Sequence, residues 1–98
     1  MIVLVVKVKT NLPEIELLKR AKAREPEFRA LTGLIQKYYI KTGPGQYGGV
    51  YVWDSVVSMK AYRESNLAKT IALAYEAIEA PSIEVMDVLF PLRDSHVV

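Results

Sequence analysis

Residues 48–55 read GGVYVWDS, and the elements on either side of this stretch can be placed from it. Residues 50–53 are β-branched or aromatic, which is typical of a strand. Asp54 or Ser55 is then in position to cap a helix. The apolar positions that follow recur at three-residue spacing, as on one face of a helix: Val56, Met59 and Tyr62. The stretch therefore predicts a strand that leads directly into a capped helix.

The sequence upstream predicts a strand, a helix and a second strand. Residues 2–8 form an apolar, largely β-branched run that predicts the first strand. A helix follows, and we expect it to begin at an Asn11 cap with Glu14 in the capping-box position. We expect Pro26 to stop this helix, because a proline disfavours helical geometry in the residue before it. Residues 34–41 predict the second strand.

A glycine-rich loop over residues 42–49 separates the two middle strands. Within it, GPGQYG at residues 43–48 matches the G-x-G-x-x-G pattern of dinucleotide-binding proteins. That pattern binds a pyrophosphate only where it leads from a strand into a helix N-terminus. Here a strand follows the glycines, so we expect a hairpin turn centred on Pro44 and Gly45 and no nucleotide cofactor.

Downstream, the helix is expected to break at residues 65–66, and a further helical stretch covers residues 67–78. Pro81 ends that stretch, residues 83–90 predict the last strand, and residues 91–98 form a tail. The element order is β-α-β-β-α-β. We therefore predict an α+β, ferredoxin-like domain over residues 1–98, with an antiparallel sheet covered on one face by helices.

Both faces of this predicted sheet are apolar. In the first strand Val3 and Val5 point one way while Leu4 and Val6 point the other, and the third and fourth strands show the same pattern. Two helices cover only one face. We therefore expect the chain to form a homodimer, and possibly a higher oligomer, in which a second copy covers the other face.

Composition narrows the possible classes. The 98 residues include no cysteine and a single histidine, His96 in the tail, so no metal site is expected. No apolar run is long enough to span a membrane, and the protein is expected to be cytoplasmic. Residues 1–41 carry nine Lys/Arg and four Glu, which we interpret as a solvated helix face.

Aromatic residues form the candidate binding site. We expect a pocket for a small aromatic molecule, and the side chains that would shape it are Tyr39, Tyr51, Trp53, Tyr62 and Asn66. Alternation along the strand puts Tyr51 and Trp53 on the same face of the sheet. It does not tell which face. If they meet the helices they shape a pocket, and if they meet a partner they are interface core.

The stretch at residues 48–55, followed by Ala61-Tyr62 and Ser65-Asn66, resembles the antibiotic-biosynthesis-monooxygenase superfamily of dimeric α/β barrels, and its small YdhR-like branch in particular. GLIQK at residues 33–37 is similar to the second strand of that branch. The resemblance implies a homodimer with facing sheets and a pocket between each sheet and its helices. It also implies a cofactor-independent monooxygenase that acts on a small phenolic, hydroquinone-like substrate.

The chain departs from the superfamily at two positions. Tyr62 stands where many members carry a helical histidine, and Gly49 and Tyr51 stand where quinone-forming members carry an asparagine upstream on the tryptophan strand. Roles that depend on those groups do not carry over. The sequence therefore assigns no catalytic residue and leaves open whether the protein is an enzyme.

Two other classes remain open. A non-catalytic ligand-binding or assembly protein on the same dimeric fold has the same sequence features. An RNA-recognition module shares the element order, and Asn11-Leu12-Pro13 after the first strand fits it. That module stacks bases on strand aromatics, whereas Lys7 and Lys9 occupy those positions here, so nucleic acid is not favoured as a partner.

Overall fold

The computed structural model describes residues 1–93, and His96 and the end of the predicted tail lie outside them. The elements in chain order are β1 (Ile2–Lys9), α1 (Glu14–Arg29), β2 (Leu34–Gly43), β3 (Gln46–Trp53), α2 (Val56–Glu64), α3 (Asn66–Lys69), α4 (Ile71–Ala74) and β4 (Ser82–Asp87). With α2, α3 and α4 as one helical connection, this is the predicted β-α-β-β-α-β order. The α+β, ferredoxin-like prediction is confirmed.

The four strands form one sheet in the order β2-β3-β1-β4. All three neighbouring pairs are antiparallel. β1 lies inside the sheet, and its Leu4 is opposite Tyr51 of β3. On the other side of β3, Tyr51 is opposite Lys37 of β2. This row across the sheet carries the site described below.

The helices cover one face of the sheet, and the core lies between them and the strands. Its strand residues are Ile2, Leu4, Val6, Val8, Tyr47, Tyr51 and Trp53, and its helix-side residues are Leu17, Ala21, Phe28, Met59, Tyr62, Ile71 and Tyr75. The opposite face carries Val3 and Val5 beside Val52 and Val50. No helix of residues 1–93 packs on that face, which we call the open face.

α1 differs from its prediction at both ends. Its N-terminal cap is Pro13, without a capping side chain, so the predicted Asn11 capping box is wrong. Thr10 stabilises the turn before α1 instead, because its hydroxyl oxygen accepts a hydrogen bond from the Leu12 N–H at 3.1 Å. The helix also continues past Pro26 to Arg29. The buried ring of Phe28 packs against the sheet and holds this last turn in place despite the proline.

The predicted hairpin turn is confirmed, but it is shorter than expected. β3 begins at Gln46, so the loop consists of Pro44 and Gly45 alone. Gly45 has φ +69°, a conformation that glycine adopts without strain. Gly48 is needed for a second reason: a Cβ there would collide with the carbonyl oxygen of Val6 on β1.

The last part of the chain is less regular than predicted. The helical stretch over residues 67–78 divides into α3 and α4, and β4 ends at Asp87 instead of Phe90. The neighbouring strand β1 begins at Ile2, which is opposite Asp87, so β1 has no strand residue left to pair with β4 beyond Asp87. None of the helices within residues 1–93 has the length and apolar character needed to cross a membrane.

Candidate active site

Tyr51 and Trp53 face the helices, which answers the question that strand alternation left open. The two rings stack with centroids 6.3 Å apart and planes 5° from parallel. Trp53 is fully buried, and Tyr51 is 2% exposed. They therefore lie in the subunit's own core, on the face where a pocket between sheet and helices would form.

Tyr62 and Phe28 join these two rings from the helices. The N–H of Ser58 donates to the Ser55 hydroxyl oxygen at 3.2 Å, which caps the start of α2. From α2, the Tyr62 ring lies 5.2 Å from Tyr51 and 5.3 Å from Trp53. We call Phe28, Tyr51, Trp53 and Tyr62 the aromatic cluster. Its spacing is that of rings packed in tilted and offset arrangements.

The phenols of the aromatic cluster are neutral. The Tyr62 hydroxyl donates to the Tyr51 hydroxyl oxygen at 3.1 Å. Burial raises the pKa of Tyr62 to about 12 and raises the pKa of Tyr51 further still. Neither hydroxyl can therefore act as a base near neutral pH.

A cavity of about 150 Å³ lies between α1, α4 and the β2–β3 part of the sheet. Its wall is largely apolar and is built by α1 and the strands, with Leu17, Leu18, Ala21, Phe28, Lys37, Tyr39, Tyr51, Ile71 and Tyr75 among the lining residues. We call it the α1 cavity. Of the five predicted site residues, Tyr39 and Tyr51 line it.

The other three predicted site residues lie elsewhere. Trp53 and Tyr62 contact Tyr51 but are not part of the cavity wall. Asn66 is exposed at the start of α3. The structure therefore brings four of the five residues into one neighbourhood, and leaves Asn66 outside it.

Lys37 is the functional candidate that the sequence did not single out. Its Nζ lies 3.4 Å from the centroid of the Phe28 ring, 4.3 Å from that of Tyr39 and 4.6 Å from that of Tyr51. The side chain crosses the sheet above Gly49, where an added Cβ would come within 3.0 Å of Lys37 Cε. Gly49 therefore leaves the space that the lysine occupies.

Lys37 differs from Lys41, the other lysine of β2 that lines the cavity. Lys41 Nζ pairs with Glu14 Oε1 at 2.8 Å, which lowers the pKa of Glu14 and raises the pKa of Lys41. No carboxylate within residues 1–93 forms an ion pair with Lys37. Burial, with a smaller contribution from the nearby Arg24 charge, lowers the pKa of Lys37 to about 7. The cavity thus contains an amine that is about half neutral at neutral pH.

This arrangement can bind and polarise a flat, apolar molecule that carries one acidic or hydrogen-bonding group. The rings provide stacking surface, and the Lys37 amine provides a strongly polar atom 3.4 Å from the Phe28 centroid. In the described part of the chain, no three His, Cys, Asp or Glu side chains come together as potential metal ligands.

Comparisons with known proteins support the fold. No protein-family model matches the chain, and no curated protein sequence matches it. Solved structures do match. One is a protein of unknown function from Nitrosomonas europaea, with a TM-score of 0.78 and 20% identity over 96% of this chain and 94% of that one.

Two further matches carry functional names. A Deinococcus radiodurans protein, provisionally assigned as an antibiotic biosynthesis monooxygenase, has a TM-score of 0.76 and 11% identity over 95% of this chain and 97% of that one. A cofactor-independent oxygenase from Streptomyces nogalater has a TM-score of 0.73 and 12% identity over 93% and 95%. This chain has their fold. At these identities the likeness concerns the fold alone.

Proposed function

We propose that the protein is a cofactor-independent monooxygenase that oxidises a small phenolic aromatic molecule in the α1 cavity. The observation that supports this most directly is the cavity itself: an apolar, ring-lined space beside an amine that pairs with no carboxylate of residues 1–93. The oxygenase named among the structures of this fold supports the same class of reaction. The resemblance of residues 48–55 to the antibiotic-biosynthesis-monooxygenase superfamily agrees with it.

The size of the cavity limits the substrate. A cavity of about 150 Å³ holds a benzene-sized molecule, and this one is open to solvent at one side, where Leu18 and Tyr39 are exposed. The proposed substrate therefore has one phenolic ring within the cavity, and the rest of a larger ring system would extend through its open side. In the proposed reaction, a phenol and O₂ give a para-quinone and water. One oxygen atom enters the ring at the para carbon and the other leaves as water, whose two hydrogens come from the phenolic O–H and from the para C–H of the ring.

The residues have different proposed roles. Tyr39, Tyr51 and Phe28 contact the substrate ring by stacking, at about 0.5–1.5 kcal/mol per aromatic pair beyond area burial. Trp53 and Tyr62 are positioning residues, because they hold the Tyr51 ring without reaching the cavity. We assign Asn66 no contact with the substrate.

The test is binding followed by isotope incorporation. Phenol and 1-naphthol are titrated into the purified protein by calorimetry, and those that bind are incubated under ¹⁸O₂. We expect one ¹⁸O atom in each quinone formed. Oxygen uptake that yields hydrogen peroxide and no labelled quinone would contradict the monooxygenase reaction.

Two variants of α1 show whether the cavity is the site. Leu18 lines the cavity, and Leu18→Trp fills part of it, so we expect phenol binding to weaken at least tenfold. Ile15 is 81% exposed on the same helix and does not line the cavity, so Ile15→Trp is the matched control. Binding without oxygen consumption would favour the alternative, a non-catalytic ligand-binding protein. Equal binding by both variants would reject the cavity as the site.

A further inference from the structure

Lys37 lies where a charged ammonium group loses most of its hydration and gains no anionic partner. Three aromatic rings surround its Nζ, and within residues 1–93 no acidic side chain reaches ion-pair distance. Cation–π contacts recover part of the lost hydration of an ammonium, but they supply no negative charge. An anion brought by the ligand would supply it.

The groups that face Lys37 come from four elements. Arg24 on α1 repels its charge. Tyr39 on the same strand, Tyr51 on β3 and Tyr75 after α4 are neutral phenols whose pKa values are raised by burial. Glu25 on α1 lines the adjacent surface with Lys37, but it pairs with Arg29 at 3.2 Å. The surroundings therefore favour a neutral amine until an anion arrives.

We propose that Lys37 is a catalytic residue that takes the phenolic proton of the bound substrate and then holds the phenolate as an ammonium–phenolate pair. This rests on the proposed function, because it names the base for that reaction. The phenolic O–H bond breaks and an N–H bond forms on Lys37. One positive and one negative charge appear together, so the step conserves charge and needs no oxidant.

The pair has two consequences for the site. A phenolate transfers an electron to oxygen more readily than a phenol, so ionisation prepares the ring for the oxidation that follows. The amine also selects for ligands with an ionisable group: a phenol should bind in preference to its methyl ether, although both rings fill the same space. Opposite charges in an apolar cavity attract strongly, since little water screens them.

The experiment uses 4-nitrophenol, whose phenolate is yellow and whose phenol is not. The protein is saturated with the probe one pH unit below the probe's own pKa, where about one tenth of the free probe is ionised. With wild-type protein we expect more than half of the bound probe to be ionised. With Lys37→Met we expect less ionisation than in free solution, because the apolar cavity then favours the neutral phenol.

Two controls make the result specific. Lys22 is exposed on α1, and Lys22→Met removes the same charge away from the cavity, so it should leave the ionised fraction unchanged. Toluene, which has no acidic proton, should bind Lys37→Met at least as tightly as wild type, which shows that the variant keeps the cavity. Loss of toluene binding would itself contradict the proposal, because Lys37 would then be structural.

The outcomes separate this proposal from the proposed function. If wild type binds nitrophenol without ionising it, Lys37 is not the base, while the oxygenase reaction can still be found by isotope incorporation. If Lys37→Met loses ionisation but wild type forms no labelled quinone, the amine acts as proposed in a binding protein. Equal ionised fractions in wild type and Lys37→Met would overturn the proposal.

Discussion

Burying Lys37 has an energetic consequence in the free protein. Its pKa falls from 10.5 to about 7 on folding, so the unfolded chain binds more protons than the folded one between these values. Burial of the charged lysine lowers the free energy of unfolding. This destabilisation is fully present below pH 7, decreases as pH rises and is absent once the lysine is neutral in the unfolded chain as well. By the usual conversion it amounts to roughly 5 kcal/mol at most.

We therefore expect the free energy of unfolding to rise with pH from about 7 to about 9. Lys37→Met should flatten this slope and should be more stable than wild type at pH 7, since the methionine keeps the apolar stem without the charge. Urea unfolding at several pH values measures both effects. A slope that persists in Lys37→Met would show that another group causes it. The range stops at about pH 9, before unfolded tyrosines begin to ionise.

At the scale of elements, Arg24 ties α1 to the two short helices. Its Nη2 donates to the Leu67 carbonyl at 2.7 Å, and its Nη1 reaches the Thr70 hydroxyl at 3.5 Å. Arg20 does the same further along, with Nη1 donating to the Ala74 carbonyl at 3.2 Å. On sequence alone, the basic residues of α1 are interpreted as a solvated helix face. The structure shows that this interpretation is incomplete. Two of these residues carry the contacts that hold α3 and α4.

Replacing Arg24 should loosen this connection. Arg24→Met removes hydrogen bonds from a charged donor to α3, and we expect a loss of about 2 kcal/mol in unfolding free energy. Amide hydrogen exchange should accelerate in residues 66–74 and stay unchanged in β1. Arg29 is the matched control, since among residues 1–93 its ion pair is an exposed one with Glu25 on the same helix. Uniform acceleration across the chain would show that Arg24 has no local role.

The elements were predictable because their residue patterns are strong, but the site depended on a detail that patterns do not carry. Gly43 pairs with Gln46, and an unbroken ladder from there would place Tyr38 opposite Tyr51. An irregularity between Lys41 and Gly43 shifts the register, so Lys37 is opposite Tyr51 instead. That shift turns Lys37 and Tyr39 toward the helices. The alternation of Lys37, Tyr39 and Lys41 was visible in the sequence, but the face they occupy was not.

At the scale of the whole molecule, the open face of the sheet has a composition suited to packing against a second copy. Valines of β1 and β3 form its centre, with Val3 opposite Val52 and Val5 opposite Val50. Met86 of β4 extends it and is 44% exposed. The charged pair Lys7 and Glu84 at 3.6 Å borders this centre, because Glu84 lies opposite Val5. An apolar centre with a polar edge is the usual anatomy of a protein interface.

We propose that two chains pack through their open faces as a homodimer, and a charge at the centre of that face provides the test. Val5→Lys should give a monomer, because dimer formation would take two ammonium groups out of water at the apolar centre of the interface, and that desolvation is costly. The monomer itself should tolerate the change, since Glu84 is the cross-strand neighbour of Val5 and can pair with the new lysine.

Val57 on α2 is 78% exposed on the other side of the molecule, so Val57→Lys is the matched control and should remain dimeric. Sedimentation equilibrium at micromolar concentration distinguishes the states. The interface should exceed about 1,000 Å² if it is stable. A monomeric wild type would contradict the dimer, and a dimeric Val5→Lys would place the interface on another surface.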